Sequence, residues 1–304
     1  MVSYDQSKWI ENALTNCGLT LCGVKKRTET PLSIVYEIKT GEGVCFFKTG
    51  IGLEAWNTQE LCNIVPSLIP EIIGSDIERN WILTKDGGSR LSEIDSEKIW
   101  KDAAMSLGGF HRGQSDKRWS IFPHNNYGSK EITKSFNEFW FESDSIRPYD
   151  IKNNLVEFIR SASLEINESI LTVESMELDS CVCHGDAQPM NCLYGETGLL
   201  WFDWRETHVT SPIIDIGWFL SWLMPPRGYL KVTVSEKFLV EIYNVYLKEI
   251  GVSNSSASIY NAMQYALIQR IVYFHNQSGK YEECRLYVEY LVKLLFRVLN
   301  RKIG

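Results

Sequence analysis

The sequence predicts an α+β chain in which a small antiparallel β-sheet precedes a larger, mostly helical part. Apolar residues alternate with a period of two before about Ser92 and take helical spacing after it. Strand-like runs after that point are confined to one island, Cys181 to Asp203. Between the two regimes lies Lys85-Asp86-Gly87-Gly88-Ser89, short, polar and Gly-rich, as a domain boundary should be. Two lobes are therefore expected, residues 1–86 and 87–304, with a hinge at about 85–89.

A short helix is expected over 5–16, ending at Gly18. Leu19–Lys26, Ser33–Lys39 and Val44–Lys48 follow as strands; the second, SIVYEIK, alternates β-branched and aromatic residues with charged ones. Thr40-Gly41-Glu42-Gly43 is a hairpin turn between the second and third. A helix from Leu53 to about Asn63 and two short strands, Glu71–Gly74 and Trp81–Thr84, complete a sheet of five strands. Beyond it, Ile99, Trp100, Ala103, Leu107 and Phe110 share one helical face, with Ser96 as cap. Further helices are expected near 130–143, 151–167, 213–223, 235–250, 257–275 and 281–301.

Composition sets limits. Lys and Arg number 31 against 38 Asp and Glu, a net charge of −7, which argues against a protein built to coat nucleic acid and is compatible with a cationic partner. The most apolar stretch, Ile216 to Met224, is far shorter than the ~20 residues of a membrane span. MVSYDQSKWIEN has polar residues where a signal peptide carries its apolar core. The eight cysteines are expected as reduced thiols of a cytoplasmic protein, without the paired spacing of a zinc site. A monomer and a homodimer both remain open.

The chemistry lies in the island, CVCHGDAQPMNCLYGETGLLWFDW. Cys192–Tyr194 and Leu199–Phe202 flank Gly195-Glu196-Thr197-Gly198 and should pair as a hairpin, which brings Asp203 beside Asn191. An amide oxygen and a carboxylate so placed are hard ligands suited to magnesium that is also held by substrate phosphates. Asp186 precedes Asn191 by five residues. Phosphoryl transfer to a hydroxyl needs such a set, a carboxylate base and two oxygen ligands for metal, and Asp186, Asn191 and Asp203 follow the order and spacing of the kinase catalytic loop. Lys48 ends the strand VCFFK, where a lysine grips nucleotide phosphates. Its partner is expected to be Glu54 or Glu60, with Glu54 preferred as nearer the helix start. His184 is assigned to holding the loop, and Asp215 either to capping its helix or to bracing the catalytic loop. His111 and His275 are assigned to packing or the surface. Trp201, Trp204, Trp218 and Trp222 are expected as core, although aromatics beside an acceptor also suit a cation.

At these residues the chain resembles the aminoglycoside phosphotransferase family, of protein-kinase-like fold, with its choline-kinase-like relatives. HGDAQPMN resembles its catalytic loop; WFDWRETHVTSPIIDIGWFLSW resembles its hydrophobic-Asp-Trp segment with the later Asp215-Ile216-Gly217; and Leu107-Gly108-Gly109-Phe110-His111 resembles its helix ending in His. The likeness runs from about Leu19 to Trp222 and implies a small antiparallel N-lobe with a larger helical C-lobe. It also implies magnesium-dependent transfer of the γ-phosphate of ATP or GTP to a small-molecule hydroxyl, with Asp186 as base. The turn Arg27–Ser33 departs from the pattern: it holds no glycine, so Ser33 or nearby backbone N–H groups are expected to cover the phosphates. The acceptor is expected to be an aminoglycoside-like or other cationic antibiotic, or else a metabolite alcohol such as choline, homoserine or a sugar. A metal-dependent phosphohydrolase would want more metal-binding His than His184 alone. A catalytically silent kinase-like module would usually have lost one of Lys48, Asp186, Asn191 and Asp203.

Overall fold

The computed structural model describes residues 2–114, 117–124, 129–141, 148–224, 230–232, 234–253, 257–278 and 282–302. The chain divides into two compact units, Met1–Leu91 with Met190–Glu206, and Ser92–Pro189 with Thr207–Gly304. The first unit thus takes in 190–206, which sequence order alone places after residue 87. Chain order and spatial order differ here because a hairpin pairs back onto residues just before Leu91.

In the first unit, helix α1 (Tyr4–Asn16) starts with a capping box. Ser3 Oγ accepts the Gln6 N–H, and the Gln6 side chain accepts the Ser3 N–H. Its buried face, Ile10, Ala13 and Leu14, packs with Tyr36, Ile38, Phe47 and Leu83 of the sheet. The five strands are β1 (Leu21–Glu29), β2 (Ser33–Thr40), β3 (Gly43–Gly50), β4 (Ile72–Asp76) and β5 (Trp81–Lys85), in the antiparallel order β1-β2-β3-β5-β4. β3 is central, which fixes Lys48 between Val35 and Ile82. β1 is a mostly exposed edge carrying Lys25, Lys26 and Arg27, charges that discourage pairing with another chain. Helix α2 (Glu54–Ile64) follows β3 directly.

A second sheet joins the two sections of this unit. β6 (Ser89–Arg90), which sequence periodicity did not mark, pairs with Tyr194 and Leu193. In the second unit β7 (Cys181–Cys183) pairs antiparallel with His208–Thr210 (β10). Back in the first unit, β8 (Cys192–Gly195) and β9 (Gly198–Trp201) form the expected hairpin, with Cys192 opposite Trp201 and Gly195 opposite Gly198.

The helices of the second unit are α3 (Glu97–Arg112), α4 (Ser129–Phe141), α5 (Asn153–Ser161), α6 (Ser163–Glu174), α7 (Ile213–Ser221), α8 (Glu236–Glu249), α9 (Ile259–Ser278) and α10 (Glu282–Lys302). The segment expected as one helix over 151–167 is two, broken at Ala162. Ser96 flanks α3, but its side chain makes no capping bond. α9 packs on α4, α6, α7 and α10 and is buried on all sides, as a core helix must be. Close approach of α7 needs Gly217: a Cβ there would lie 2.1 Å from the carbonyl oxygen of Ala262. Trp201 and Trp204 are buried in the first unit; in the second, Trp218 is buried and meets Trp222 edge-on, with ring centroids 5.4 Å apart.

Candidate active site

Lys48 is the centre of the first unit's polar group. Its Nζ lies 2.7 Å from Glu54 Oε2 and 2.7 Å from Asp203 Oδ1. Glu54 is the first residue of α2, so β3 and the helix that follows it supply the pair by direct connection. Glu54 is 7% exposed. Burial disfavours the Lys48 ammonium, but Asp203 and Glu54 outweigh it and hold its pKa above the ordinary value. Burial pushes the Glu54 carboxyl up to about 7, against the pull of Lys48.

Asp203 adopts φ 66°, left-handed backbone that non-glycine residues rarely occupy. Its neighbours fix it there. The Phe202 N–H donates to Asn191 O at 3.0 Å, Trp204 Nε1 donates to Trp201 O at 2.8 Å, and buried Asn57 on α2 donates to Trp204 O at 2.8 Å. The hairpin therefore sets Asn191 opposite Phe202 and next to Asp203, as the spacing predicts. Asn191 and Asp203 offer an amide oxygen and a carboxylate, the kinds of ligand that a hard cation such as magnesium takes.

Asn80, which the sequence did not single out, ties these parts together. Its Oδ1 accepts the Ala55 N–H at 2.8 Å and its Nδ2 donates to Gly50 O at 3.0 Å, joining the end of β3 to the start of α2. It does so from φ 52°, a conformation that Asn tolerates better than most residues. Ser33 opens β2 opposite Gly50. Its N–H and that of Leu32 donate to Thr30 Oγ1 at 3.0 and 3.2 Å, so these donors, expected to cover phosphates, are engaged within the turn. In the segment 85–89, the Lys85 N–H donates to Glu71 O, the Asp86 N–H to Val44 O and the Gly88 N–H to Asp86 Oδ1. Those three amides are thus committed inside the sheet and turn.

In the second unit the loop after β7 carries Asp186. Gly185 takes φ 78°, and its N–H and that of His184 donate to Asp215 at 2.9 and 2.6 Å. Asp215 lies in the first turn of α7 and braces the loop; the helix's N-cap position is Pro212. His184 Nδ1 accepts the Asp186 N–H at 3.2 Å, a backbone bond of the kind expected for this residue. The Asp186 carboxylate receives Trp218 Nε1–H at 2.9 Å and Arg270 Nη2 at 3.1 Å on Oδ1, and Gln188 Nε2 at 2.8 Å on Oδ2.

His111 is buried, not a surface residue. Tyr246 donates its hydroxyl to Pro212 O at 2.9 Å, so it accepts from His111 Nδ1, 2.8 Å away. The other nitrogen lies 3.1 Å from Asp215 Oδ2. Burial works against an imidazolium, but Cys181 and Asp215 outweigh it and raise the pKa. Burial likewise works against the Asp215 carboxylate, and His111 with the loop amides holds its pKa below the usual range. Cys181, Cys183 and His111 place their ligand atoms within 4.8 Å of one another. Both His111 nitrogens are already committed, which argues for a buried hydrogen-bond network and against a metal centre. His275 is half-buried and bonds Tyr149 at 2.7 Å.

Comparison with known proteins bears on both units. The family model described as phosphotransferase enzyme family matches residues 64–238. Among solved structures, the chain is similar to spectinomycin phosphotransferase, APH(9)-Ia, in complex with ADP and spectinomycin, at 14% identity and TM-score 0.62 over 96% of this chain and 98% of that one. It is similar to choline kinase from Cryptosporidium parvum Iowa II at 15% identity and TM-score 0.61, over 92% and 88% of the two chains. It is also similar to the GDP complex of aminoglycoside 2'-phosphotransferase-IIIa at 14% identity and TM-score 0.65, over 97% and 99%. No curated protein matches the sequence. These likenesses show the fold, a protein-kinase-like one.

Proposed function

The chain belongs to the phosphotransferase enzyme family, whose model spans more than half of it, and on that premise we propose that it transfers the γ-phosphate of ATP or GTP to a hydroxyl of a small molecule. The observation that carries this reading is Lys48 held between Glu54 and Asp203, with Asn191 on the same hairpin as Asp203. A lysine on a sheet strand, oriented by a carboxylate of the following helix, is the device that steadies nucleotide phosphates in kinases.

In the proposed reaction the acceptor oxygen forms a bond to the γ-phosphorus, the bond from that phosphorus to the β-bridging oxygen breaks, and the nucleoside diphosphate leaves. Asp186 orients the acceptor hydroxyl and takes its proton, a role that contributes about 10²–10⁴-fold in rate. Lys48 positions the phosphates and Glu54 orients Lys48. Magnesium, held by Asn191 and Asp203, would neutralise charge on the phosphates. Among the described residues no helix is long and apolar enough to cross a membrane. All eight cysteines are free; a cytoplasmic location is proposed from the sequence.

The acceptor is proposed to be an aminoglycoside-like or other cationic antibiotic, with a metabolite alcohol as the second reading. Transfer of labelled γ-phosphate from MgATP and MgGTP to a panel of aminoglycosides, choline, homoserine and sugars tests it. Transfer to one class identifies the acceptor. Magnesium-dependent nucleotide binding without transfer to any hydroxyl would favour a silent binding module, and no nucleotide binding would refute the reading.

A further inference from the structure

Arg270, on α9, is a buried cation that the transfer reaction leaves without a role. Its guanidinium carbon lies 4.2 Å from the ring centroid of Trp218, 5.3 Å from that of Phe274 and 5.9 Å from that of Tyr287. All three fall within the ~6 Å at which an aromatic face attracts a cation. Nη2 is 3.1 Å from Asp186 Oδ1, and Nη1 donates to the carbonyl of Gly185. Trp218 completes the arrangement, with its ring under the guanidinium and its Nε1–H on the same carboxylate oxygen at 2.9 Å. The aromatic faces next to Asp186 are therefore occupied by a cation of the chain itself, and Arg270 is only 6% exposed.

A ligand ammonium entering this seat would have to displace the guanidinium from three rings and from Asp186. A quaternary ammonium carries no N–H, so it would leave the buried Gly185 carbonyl without the donor Arg270 supplies and Asp186 Oδ1 with Trp218 Nε1–H alone. Leaving a buried acceptor unsatisfied is costly. We propose that Arg270 is a specificity-determining residue that fills the aromatic seat beside Asp186 from within, so that the portion of the acceptor meeting this seat is uncharged and hydroxyl-bearing. Cationic groups on the acceptor, as in an aminoglycoside-like molecule, are then held away from Asp186, and a compact quaternary-ammonium alcohol finds no cage here. The inference rests on the assignment of Asp186 to the acceptor, but its test reads binding alone.

The test titrates tetramethylammonium chloride into wild type, Arg270→Ala and Trp218→Phe, followed by calorimetry and tryptophan fluorescence. Wild type is expected to show no saturable binding. Arg270→Ala opens the seat, binds the probe at least tenfold more tightly than wild type, and gains thermal stability from low-millimolar guanidinium, which wild type does not. Saturable binding by wild type that is lost in Trp218→Phe would overturn the proposal. So would a folded Arg270→Ala that binds neither cation. Should that variant not fold, the wild-type titration still decides, since refusal of the probe supports the proposal and Trp218-dependent saturation refutes it. None of these readouts involves phosphoryl transfer, so failure of the acceptor panel would bear on the proposed function and leave this result standing.

Discussion

The ammonium of Lys48 lies 2.7 Å from Oδ1 of Asp203, joining the central strand of the sheet to the residue that follows the β8–β9 hairpin. In the proposed function the first residue serves phosphate and the second metal, so their contact makes the two roles separable by substitution. Asp203→Ala leaves Lys48 paired with Glu54 but removes the carboxylate proposed to hold magnesium. The expected outcome is loss of the magnesium-dependent part of nucleotide affinity, at least tenfold or about 1.4 kcal/mol. Calorimetry with ATP and GTP, with and without magnesium, checks it. Equal affinities in all four conditions for wild type and variant would end the metal assignment.

Glu54 imposes a pH dependence of definite sign. Its carboxyl is pushed up to about 7 from an ordinary 4.5, so the folded chain binds that proton more tightly than the unfolded chain does. The stability it contributes is complete below pH 4.5 and is lost as pH rises through about 7. Orientation of Lys48 runs the other way, because only the ionised carboxylate attracts the ammonium. Nucleotide affinity should therefore weaken as pH falls through 7 while stability rises. Glu54→Gln should flatten both trends. Urea unfolding and nucleotide titration at pH 5, 6, 7 and 8 measure them, and an unchanged slope in the variant would exclude Glu54 as their source.

Asn80 should matter for stability more than its place in a turn suggests. Asn80→Ala removes the acceptor for the Ala55 N–H and the donor to Gly50 O, and puts alanine at φ 52°. Each lost hydrogen bond costs about 1 kcal/mol and the left-handed conformation about 1 more. A loss of about 2–3 kcal/mol is expected in urea unfolding, together with weaker nucleotide binding because the end of β3 and the start of α2 are no longer tied. Asn80→Gly, which relieves the backbone cost alone, should lose less. Equal stability of wild type and Asn80→Ala would show that the tie is dispensable.

Much of this was legible because it is local. The period change near Ser92, the Gly195–Gly198 turn and the short connection from β3 to α2 are encoded within a few residues, so the sheet, the hairpin and the Lys48–Glu54 pair follow from sequence spacing. Asn80 and Arg270 were not legible. Asn80 acts on residues 25 and 30 positions away, and Arg270 reaches Asp186 across 84 positions. Within α9 Arg270 looks like any helix-face arginine until the fold turns it inward. The membership of 190–206 in the first unit was hidden for the same reason, since β6 is two residues long and carries no periodic signal. His111 is packed in the interior, one of the two places its sequence context allows, but its two partners, Tyr246 and Asp215, lie 135 and 104 positions away and leave no local signal.

Asp215 should be the most costly of the loop's supports to remove. Asp215→Ala strips the acceptor from the N–H groups of His184 and Gly185 and leaves His111 without its carboxylate, all fully buried or nearly so. Breaking such a pair costs about 3–5 kcal/mol. Because the folded pKa of Asp215 is depressed, its contribution is present above the ordinary 3.8 and disappears as pH falls through the lower folded value. Wild type should thus lose stability on acidification below about pH 4 more steeply than Asp215→Asn. Parallel acid-unfolding curves would assign that steepness to other groups.

Asp186→Asn separates the proposed chemistry from the fold. The amide keeps the size of the carboxylate and one oxygen for Trp218 Nε1–H and Arg270, so the loop braced by Asp215 should keep its conformation. It cannot take a proton from an acceptor hydroxyl. General base catalysis typically contributes about 10²–10⁴-fold, and an interaction realised only in the transition state appears in kcat and not in substrate affinity. Transfer should accordingly fall within that range, while nucleotide affinity stays near wild type because phosphate and metal are assigned to Lys48, Asn191 and Asp203. Steady-state transfer to whichever hydroxyl the acceptor panel identifies, beside calorimetric nucleotide binding, makes the measurement. An Asp186→Asn variant that keeps most of its kcat would remove Asp186 from the reaction and leave the His184-Gly185-Asp186 turn a purely structural one.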